Sequence, residues 1–321
     1  MRRKNTNMSD CRQNDCSLNE VRNFMTDNKH KNKKRRLILK IIFFAILILI
    51  ILLGVSVYLS ANWLTVTYYT IAEDITESIR IVQLTDLHNS QFGQDNQKLV
   101  RKVSEQQPDL IFITGDMINQ DEENTEILCT LLEQLTAIAP VYYGFGNHER
   151  NWECGTQKEL KDKIAQTGAI VLDCEYEDVT VKGQELRIGG YYGYYRQPGM
   201  LTKSEAQREK ELAFADEFED TDRIKILLCH IPTAWLDWEY IDKFPVDLVF
   251  CGHYHGGQIR LPLIGGLYAP NVGWFPEYTK GIFQGSEATC VLSAGLGNET
   301  WVPRVNNLPE IAVADLVKEN P

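Results

Sequence analysis

None of the eight cysteines in this 321-residue chain form a C-x-x-C pair, which argues against a zinc ribbon or a thioredoxin-type redox site. Their spacing is irregular, so a disulfide framework is not expected, although one isolated bridge stays open. Cys129, Cys229, Cys251 and Cys290 lie inside apolar runs, where a thiol behaves as a small core hydrophobe. No internal repeat is visible. Basic charge is scarce beyond the first forty residues. Residues 1–40 hold 12 Lys and Arg against 4 Asp and Glu, and the remainder holds 21 against 40, within a net charge of −11. A body this acidic lacks the basic face that phosphate backbones require, so no nucleic acid is expected as a partner. Bound metal ions could still supply positive charge locally for a single phosphate group. A hydrophobic fraction of 44% provides enough apolar material for a sizeable core.

One long apolar run is present. Ile41 to Leu59 is 19 residues without charge, and Leu37–Leu39 extends it past Lys40. A bilayer core takes about 20 apolar residues as a helix, so the run predicts one membrane span over 37–59. The basic stretch from Lys29 to Arg36 precedes it, whereas residues 60–80 carry a single basic residue, Arg80. Positive charge stays on the cytoplasmic side, which predicts a cytoplasmic N-terminus and an extracytoplasmic body over 60–319. The run is longer than a signal-peptide core, and no convincing small-x-small cleavage site follows it. Residues 1–36 are polar and basic with few aromatics and read as a disordered tail.

Beyond the span, strand-like and helix-like segments alternate through residues 80–260. Strands are predicted at Arg80–Leu84, Asp109–Thr114, Val141–Phe145, Ile224–Leu228 and Val246–Phe250. Helices are predicted at Leu99–Gln107, Thr125–Ala137 and Lys158–Thr167, with short strands from there to Gly193. Residues 256–302 are rich in Gly, aromatic and β-branched residues and read as antiparallel strands. Thr65–Ile71 and Ile311–Leu316 are further strand candidates. The alternation predicts an α/β fold with helices on the sheet faces.

Histidine is as scarce as it is concentrated. Five of the six sit in four short clusters, and His30 alone stands apart. The clusters are Asp86-Leu87-His88, Gly146-Asn147-His148-Glu149, Cys229-His230-Ile231 and Gly252-His253-Tyr254-His255, with Gly115-Asp116 between the first two. Each follows the carboxyl end of a predicted strand, where open α/β sheets bind ligands. Individually the motifs are weak: Gly-Asp after a strand is commonly a turn, and a lone His230 is commonly a core residue. As an ordered set they offer Asp86, His88, Asp116, Asn147, His230, His253 and His255 as ligands. These are mixed oxygen and nitrogen donors, enough for two ions if one carboxylate bridges.

The full set resembles the signature of the calcineurin-like metallophosphoesterases over residues 64 to 319. The finer resemblance, carried by Gly252 to Gln258, Tyr278-Thr279-Lys280-Gly281, Gly295-Leu296-Gly297, Pro303-Arg304 and Pro309-Glu310-Ile311, is to a membrane-anchored bacterial branch similar to YkuE and YaeI. The resemblance implies a four-layer α/β/β/α sandwich with a dinuclear site of Mn, Fe or Zn. Asp86, His88 and His255 would hold one ion and Asn147, His230 and His253 the other, with Asp116 bridging. His148 would face the substrate and serve the leaving oxygen. The implied activity is phosphoester hydrolysis, of a diester above all, by hydroxide activated between two metals. The implied substrate is lipid- or envelope-linked. A non-catalytic scaffold on the same fold is the alternative, favoured by loss of a ligand or of His148, and neither is lost.

Other residues are less decided. The run Gly189 to Arg196 reads as an exposed strand and turn, or else as a cleft wall with Arg196 near phosphate. Arg304 is open to a site role or a plain salt bridge. Trp235 and Trp238 read as packing residues. Trp274 and Phe275 are open to contact with a membrane or a lipid substrate.

Overall fold

The computed structural model describes residues 10–122, 124–152, 157–197, 204–299 and 302–318. The chain divides into two units, Met1–Val55 and Ser56–Pro321. The described part of the first unit is helix α1, Asp10–Asn62, whose last turns belong to the second unit. It is long and apolar enough to cross a membrane. The disordered tail expected over 1–36 is a point of difference. Residues 1–9 lie outside the described residues, but the helix runs unbroken through 10–36. No proline interrupts residues 10–62, and a helix nucleated in the apolar run propagates at little cost into polar neighbours.

In the second unit the chain order is β1 (Thr65–Glu73), β2 (Ile79–Leu84), α2 (Gln97–Ser104), β3 (Leu110–Thr114), α3 (Glu126–Thr136), β4 (Val141–Gly144), α4 (Asn147–Arg150), α5 (Gln157–Gln166), β5 (Ile170–Leu172), β6 (Glu175–Val181), β7 (Gln184–Gly190), α6 (Glu205–Glu219), β8 (Ile224–Leu228), α7 (Thr233–Leu236) and β9 (Leu248–Cys251). Then follow β10 (Arg260–Leu261), β11 (Gly265–Gly266), β12 (Tyr268–Ala269), β13 (Gly273–Trp274), β14 (Gly281–Gln284), β15 (Thr289–Leu292) and β16 (Glu310–Lys318). Two six-stranded sheets result, ordered β1-β16-β2-β3-β4-β5 and β14-β15-β9-β8-β7-β6. The strands that carry the site motifs, β2-β3-β4 in one sheet and β8-β9 in the other, are parallel to their neighbours in those runs.

Alternation along each strand builds the layers, because successive side chains point to opposite faces. From the first sheet, Ile79, Ile81, Phe112 and Tyr142 face the second sheet, whose Ile188, Ile226, Leu228, Leu248 and Phe250 face back. The Phe112 and Phe250 rings meet edge to face across this interface at 5.1 Å. The opposite faces are covered by helices. Val82, Leu84, Ile111 and Ile113 pack on α2, α3 and α5 through Leu99, Val103, Leu128, Leu131, Leu132, Leu135, Leu160 and Ile164. Leu227, Val249, Cys251 and Cys290 pack on α6 and α7 through Phe214, Phe218, Trp235 and Leu236. The order is therefore helix, sheet, sheet, helix, the expected four-layer sandwich.

Helix α6 had no counterpart in the sequence reading. Its exposed positions are dominated by Glu, Lys, Arg and Asp, and only the short face of Phe214, Ala215 and Phe218 is apolar and buried. Trp235 is fully buried and Trp238 stacks on Tyr194 at 5.0 Å, both packing roles as expected. The five cysteines Cys129, Cys174, Cys229, Cys251 and Cys290 are free thiols, whereas Cys154 lies outside the described residues.

Candidate metal centre

Five loops at strand carboxyl ends meet where the two sheets adjoin. They are stitched together through the main chain: Asp86 N–H donates to Gly115 O (3.0 Å), His88 N–H to Asp116 O (3.1 Å) and Gly252 N–H to His230 O (3.1 Å). Space here admits only glycine. A Cβ on Gly146 would lie 2.2 Å from Asp116 Oδ1, and one on Gly252 would lie 2.5 Å from Asp86 Oδ2. Backbone conformation is also unusual. Asp86, His88, Asp116, His253 and His255 all have φ between 47° and 70°, a region that costs non-glycine residues about 1–3 kcal/mol each and clusters at functional sites.

The side chains form groups. Ligand atoms of Asp86, His88 and His255 lie within 4.8 Å of one another, as do those of Asp116, His230 and His253, and those of His88, His148 and Glu299. Each histidine has one ring nitrogen engaged from outside the group. His88 Nδ1 faces Asn119 Oδ1 at 3.1 Å, so it donates, and its buried Nε2 has no partner. His230 Nδ1 donates to Thr114 O at 2.7 Å, leaving Nε2 toward Asp116 at 3.0 Å. His253 turns the other way, with Nε2 against the Asn271 amide (2.7 Å) and Nδ1 toward His230. His255 has Nε2 toward Asp86 at 3.6 Å and Nδ1 3.3 Å from the Arg304 guanidinium. Asn147 Oδ1 is likewise buried without a partner. A buried imidazole nitrogen and a buried amide oxygen left unpaired cost free energy unless something else is bound there. Both belong to the predicted ligand set, so the residues present fit divalent metal ions.

Charge is arranged to match. Burial pulls His88 down to about 4 and His253 down to about 3, and it holds His255 well below its ordinary value, so all three imidazoles are neutral as metal ligation requires. Burial also opposes charge on His230, but Asp116 beside it wins and raises His230 to about 10. Burial pushes Asp86 up to about 6. An ion pair of His230 and Asp116 thus stands where cations would otherwise neutralise the carboxylate.

His148 sits beside these groups. Its N–H donates to Asp116 Oδ1 (2.8 Å), its Nδ1 accepts from Gln120 N–H (3.0 Å), and its Nε2 faces Glu299 Oε1 at 3.2 Å. The Gln120 contact selects the tautomer with hydrogen on Nε2. Burial lowers the His148 pKa, but Glu299 and Asp116 outweigh it and the net shift is upward. Glu149 is the keystone of the loops: its buried carboxylate accepts from the N–H groups of Asp116, Met117 and Gly146 and from the Tyr143 hydroxyl, each at 2.8 Å.

The structure brings together Asp86, His88, Asp116, His230, His253, His255 and His148, and Asn147 precedes His148 in the Gly146 loop with its Oδ1 buried. It also brings Arg304 in, buried against His255 and donating to Gly297 O at 2.6 Å. Arg196 is a correction. Its guanidinium is held by Glu219 (2.8 and 2.9 Å) and Asp216 (2.7 Å) on α6, because the Gly189 to Tyr195 run turns Tyr191 and Tyr195 into the core and carries Arg196 toward that helix. Sequence reasoning missed Asn119, Asn271 and Glu299. Glu299 follows the Gly295-Leu296-Gly297 block closely, but nothing near Asn119 or Asn271 in the chain marks them.

The fold and site define a metallophosphoesterase, and the chain belongs to the calcineurin-like phosphoesterase family, whose model matches residues 79–257. Among relatives it is similar to the metallophosphoesterase YkuE of Bacillus subtilis (strain 168), 29% identical over 83% of this chain and 90% of that protein. It is also similar to the phosphodiesterase YaeI of Escherichia coli (strain K12), 27% identical over 82% and 92%. Metallophosphoesterase YkoQ of Bacillus subtilis (strain 168) is 26% identical over 73% and 82%. The chain is a phosphoester hydrolase of the YkuE- and YaeI-like bacterial branch.

Proposed function

We propose that this enzyme is a two-metal phosphodiesterase anchored by α1, with its catalytic body outside the cytoplasm. The carrying observation is the pairing of the Asp86 and Asp116 ligand groups with the unpaired His88 Nε2 and Asn147 Oδ1. Asp86, His88 and His255 would hold one cation and Asn147, His230 and His253 the other, with the Asp116 carboxylate available to both. When bound, such cations would supply Lewis acidity and lower the pKa of a water, the chemistry that phosphoester hydrolysis near neutral pH needs.

The chain's own residues do the rest. Asn119 and Thr114 O fix the ring orientations of His88 and His230, and Asn271 that of His253. His148 presents its Nε2–H to the leaving oxygen, which takes the place that the half-exposed Glu299 carboxylate occupies here. The name of YaeI supports a diester substrate. The basic residues before the apolar run, and their scarcity after it, support the outward orientation. The anchor favours a lipid- or envelope-linked substrate, presented close to the membrane.

Metal analysis of the purified full chain, coupled to assays of soluble mono- and diesters, tests the reading. About two equivalents of Mn, Fe or Zn and faster diester hydrolysis are expected. Preparations that bind no metal and hydrolyse neither ester would overturn it.

A further inference from the structure

The sixteen residues from Leu261 to Pro276 contain no charged side chain, in a chain that is 24% charged. They form two small hairpins, β10 with β11 and β12 with β13. Leu263, Ile264, Val272, Trp274 and Phe275 on these hairpins are all exposed, Leu263 completely. Leu263 and Phe275 also hold positive φ, 68° and 55°, so backbone strain is spent on presenting apolar side chains to the outside. A soluble surface rarely keeps so dense an apolar cluster uncovered.

What covers it follows from where the first hairpin is rooted. Arg260 N–H donates to Val305 O (2.9 Å), and the Asn306 side chain donates to Arg260 O (3.2 Å). Asn306 N–H in turn donates to Ser56 Oγ (2.7 Å), and Asn307 N–H to Ser60 Oγ (3.2 Å). Ser56 lies within the uncharged run that ends at Leu59. The root of the hairpin is therefore linked through Asn306 to Ser56, three residues before the uncharged run ends at Leu59.

We propose that these two hairpins are a second membrane contact, inserting Leu263, Ile264 and Phe275 into the outer lipid leaflet with Trp274 at the headgroup boundary. The proposal rests on the reading of α1 as a membrane anchor. Aliphatic tips with a flanking Trp suit the interface, and the lack of charge means that zwitterionic lipid suffices. Tyr268 and Trp274 also wall a cavity of about 520 Å³ that reaches His255 and Glu299. Seating the hairpins in lipid holds the cavity wall, and the metal ligands behind it, against the membrane.

The test uses the full chain carrying Leu263→Trp, reconstituted in phosphatidylcholine vesicles with and without brominated acyl chains. Flotation with the vesicles reports the anchor independently. The expected result is flotation together with added emission that is blue-shifted and quenched by the brominated lipid. In a second variant, Leu263→Ser with Ile264→Ser, hydrolysis of a soluble diester in detergent stays at the unsubstituted rate while quenching of Trp274 in vesicles falls. Flotation with red, unquenched emission from the added Trp would overturn the proposal and leave the anchor standing. Blue-shifted but unquenched emission would assign the surface to a protein contact and overturn it equally. Failure to float would remove the anchor and the proposal with it.

Discussion

At the scale of single residues, the histidines divide by what their outer nitrogen touches. The His148 ring is engaged by Gln120 and Glu299 and stands 4.0 Å from Asp116 Oδ2, to whose other oxygen its backbone N–H donates. His148→Ala is therefore expected to keep its metal content while kcat falls by about 10²-fold or more, read by metal analysis beside steady-state kinetics. Equal loss of both would make His148 a ligand. Asn271 touches only the far side of His253, so Asn271→Ala should weaken metal binding about 10- to 100-fold, and a competitive chelator titration measures this.

The same residues set a pH signature for the metal-free protein. His88 and His253 fall to about 4 and about 3, so between there and their ordinary value near 6.5 the unfolded chain binds more protons, and stability rises with pH. His230 is raised to about 10, so its contribution is full below 6.5 and is lost as pH climbs to 10. Thermal melts of chelator-treated protein should peak near neutrality and decline toward pH 10. Metal should flatten the alkaline decline, because ligated His230 has already given up its proton. An alkaline limb that is unchanged by metal would exclude His230 as a ligand.

At the scale of elements, what matters is how a strand ends. Each motif strand delivers its candidate ligands two to four residues past its last residue, and small residues let the loops approach. At Gly146 the neighbour is a candidate ligand itself, since a Cβ there would stand 2.2 Å from Asp116 Oδ1. Gly146→Ala should displace that carboxylate and abolish metal-dependent activity, whereas Gly183→Ala, at a turn with nothing within 4 Å, should leave activity unchanged. Helix α6 shows why part of the fold was not legible. Its sequence reads as a solvated charged stretch, and only the second sheet tells Phe214 and Phe218 where to point. The hydrophobic strands and the Leu-rich α3 were legible because their periodicity is written locally.

At the scale of the whole molecule, the two sheets act as one frame because their inner faces share an apolar core. Phe250 lies at its centre, two residues before Gly252 and three before His253. Phe250→Ala is expected to cost about 3–5 kcal/mol of stability in denaturant unfolding and to lower metal affinity with it, since β9 carries the loop of His253 and His255. A destabilised protein with unchanged metal affinity would mean that the loops hold their geometry without the frame.

The sequence by itself offered the candidate ligands and His148 as a candidate substrate-facing residue, and it marked the α/β class and the apolar helix. Each of these is local: a strand, a turn and a donor residue, or a run of uncharged side chains, are neighbours along the chain. Tertiary structure alone decided the partners. Asn119 on His88, Asn271 on His253, Arg304 on His255 and Glu299 on His148 come from segments 18 to 151 residues away from the histidine each one orients. It also drew Arg196 to Glu219 and set the uncharged hairpins beside Ser56. Such pairings depend on which sheet edges and loops end up adjacent, and no periodicity or motif along the chain encodes that adjacency.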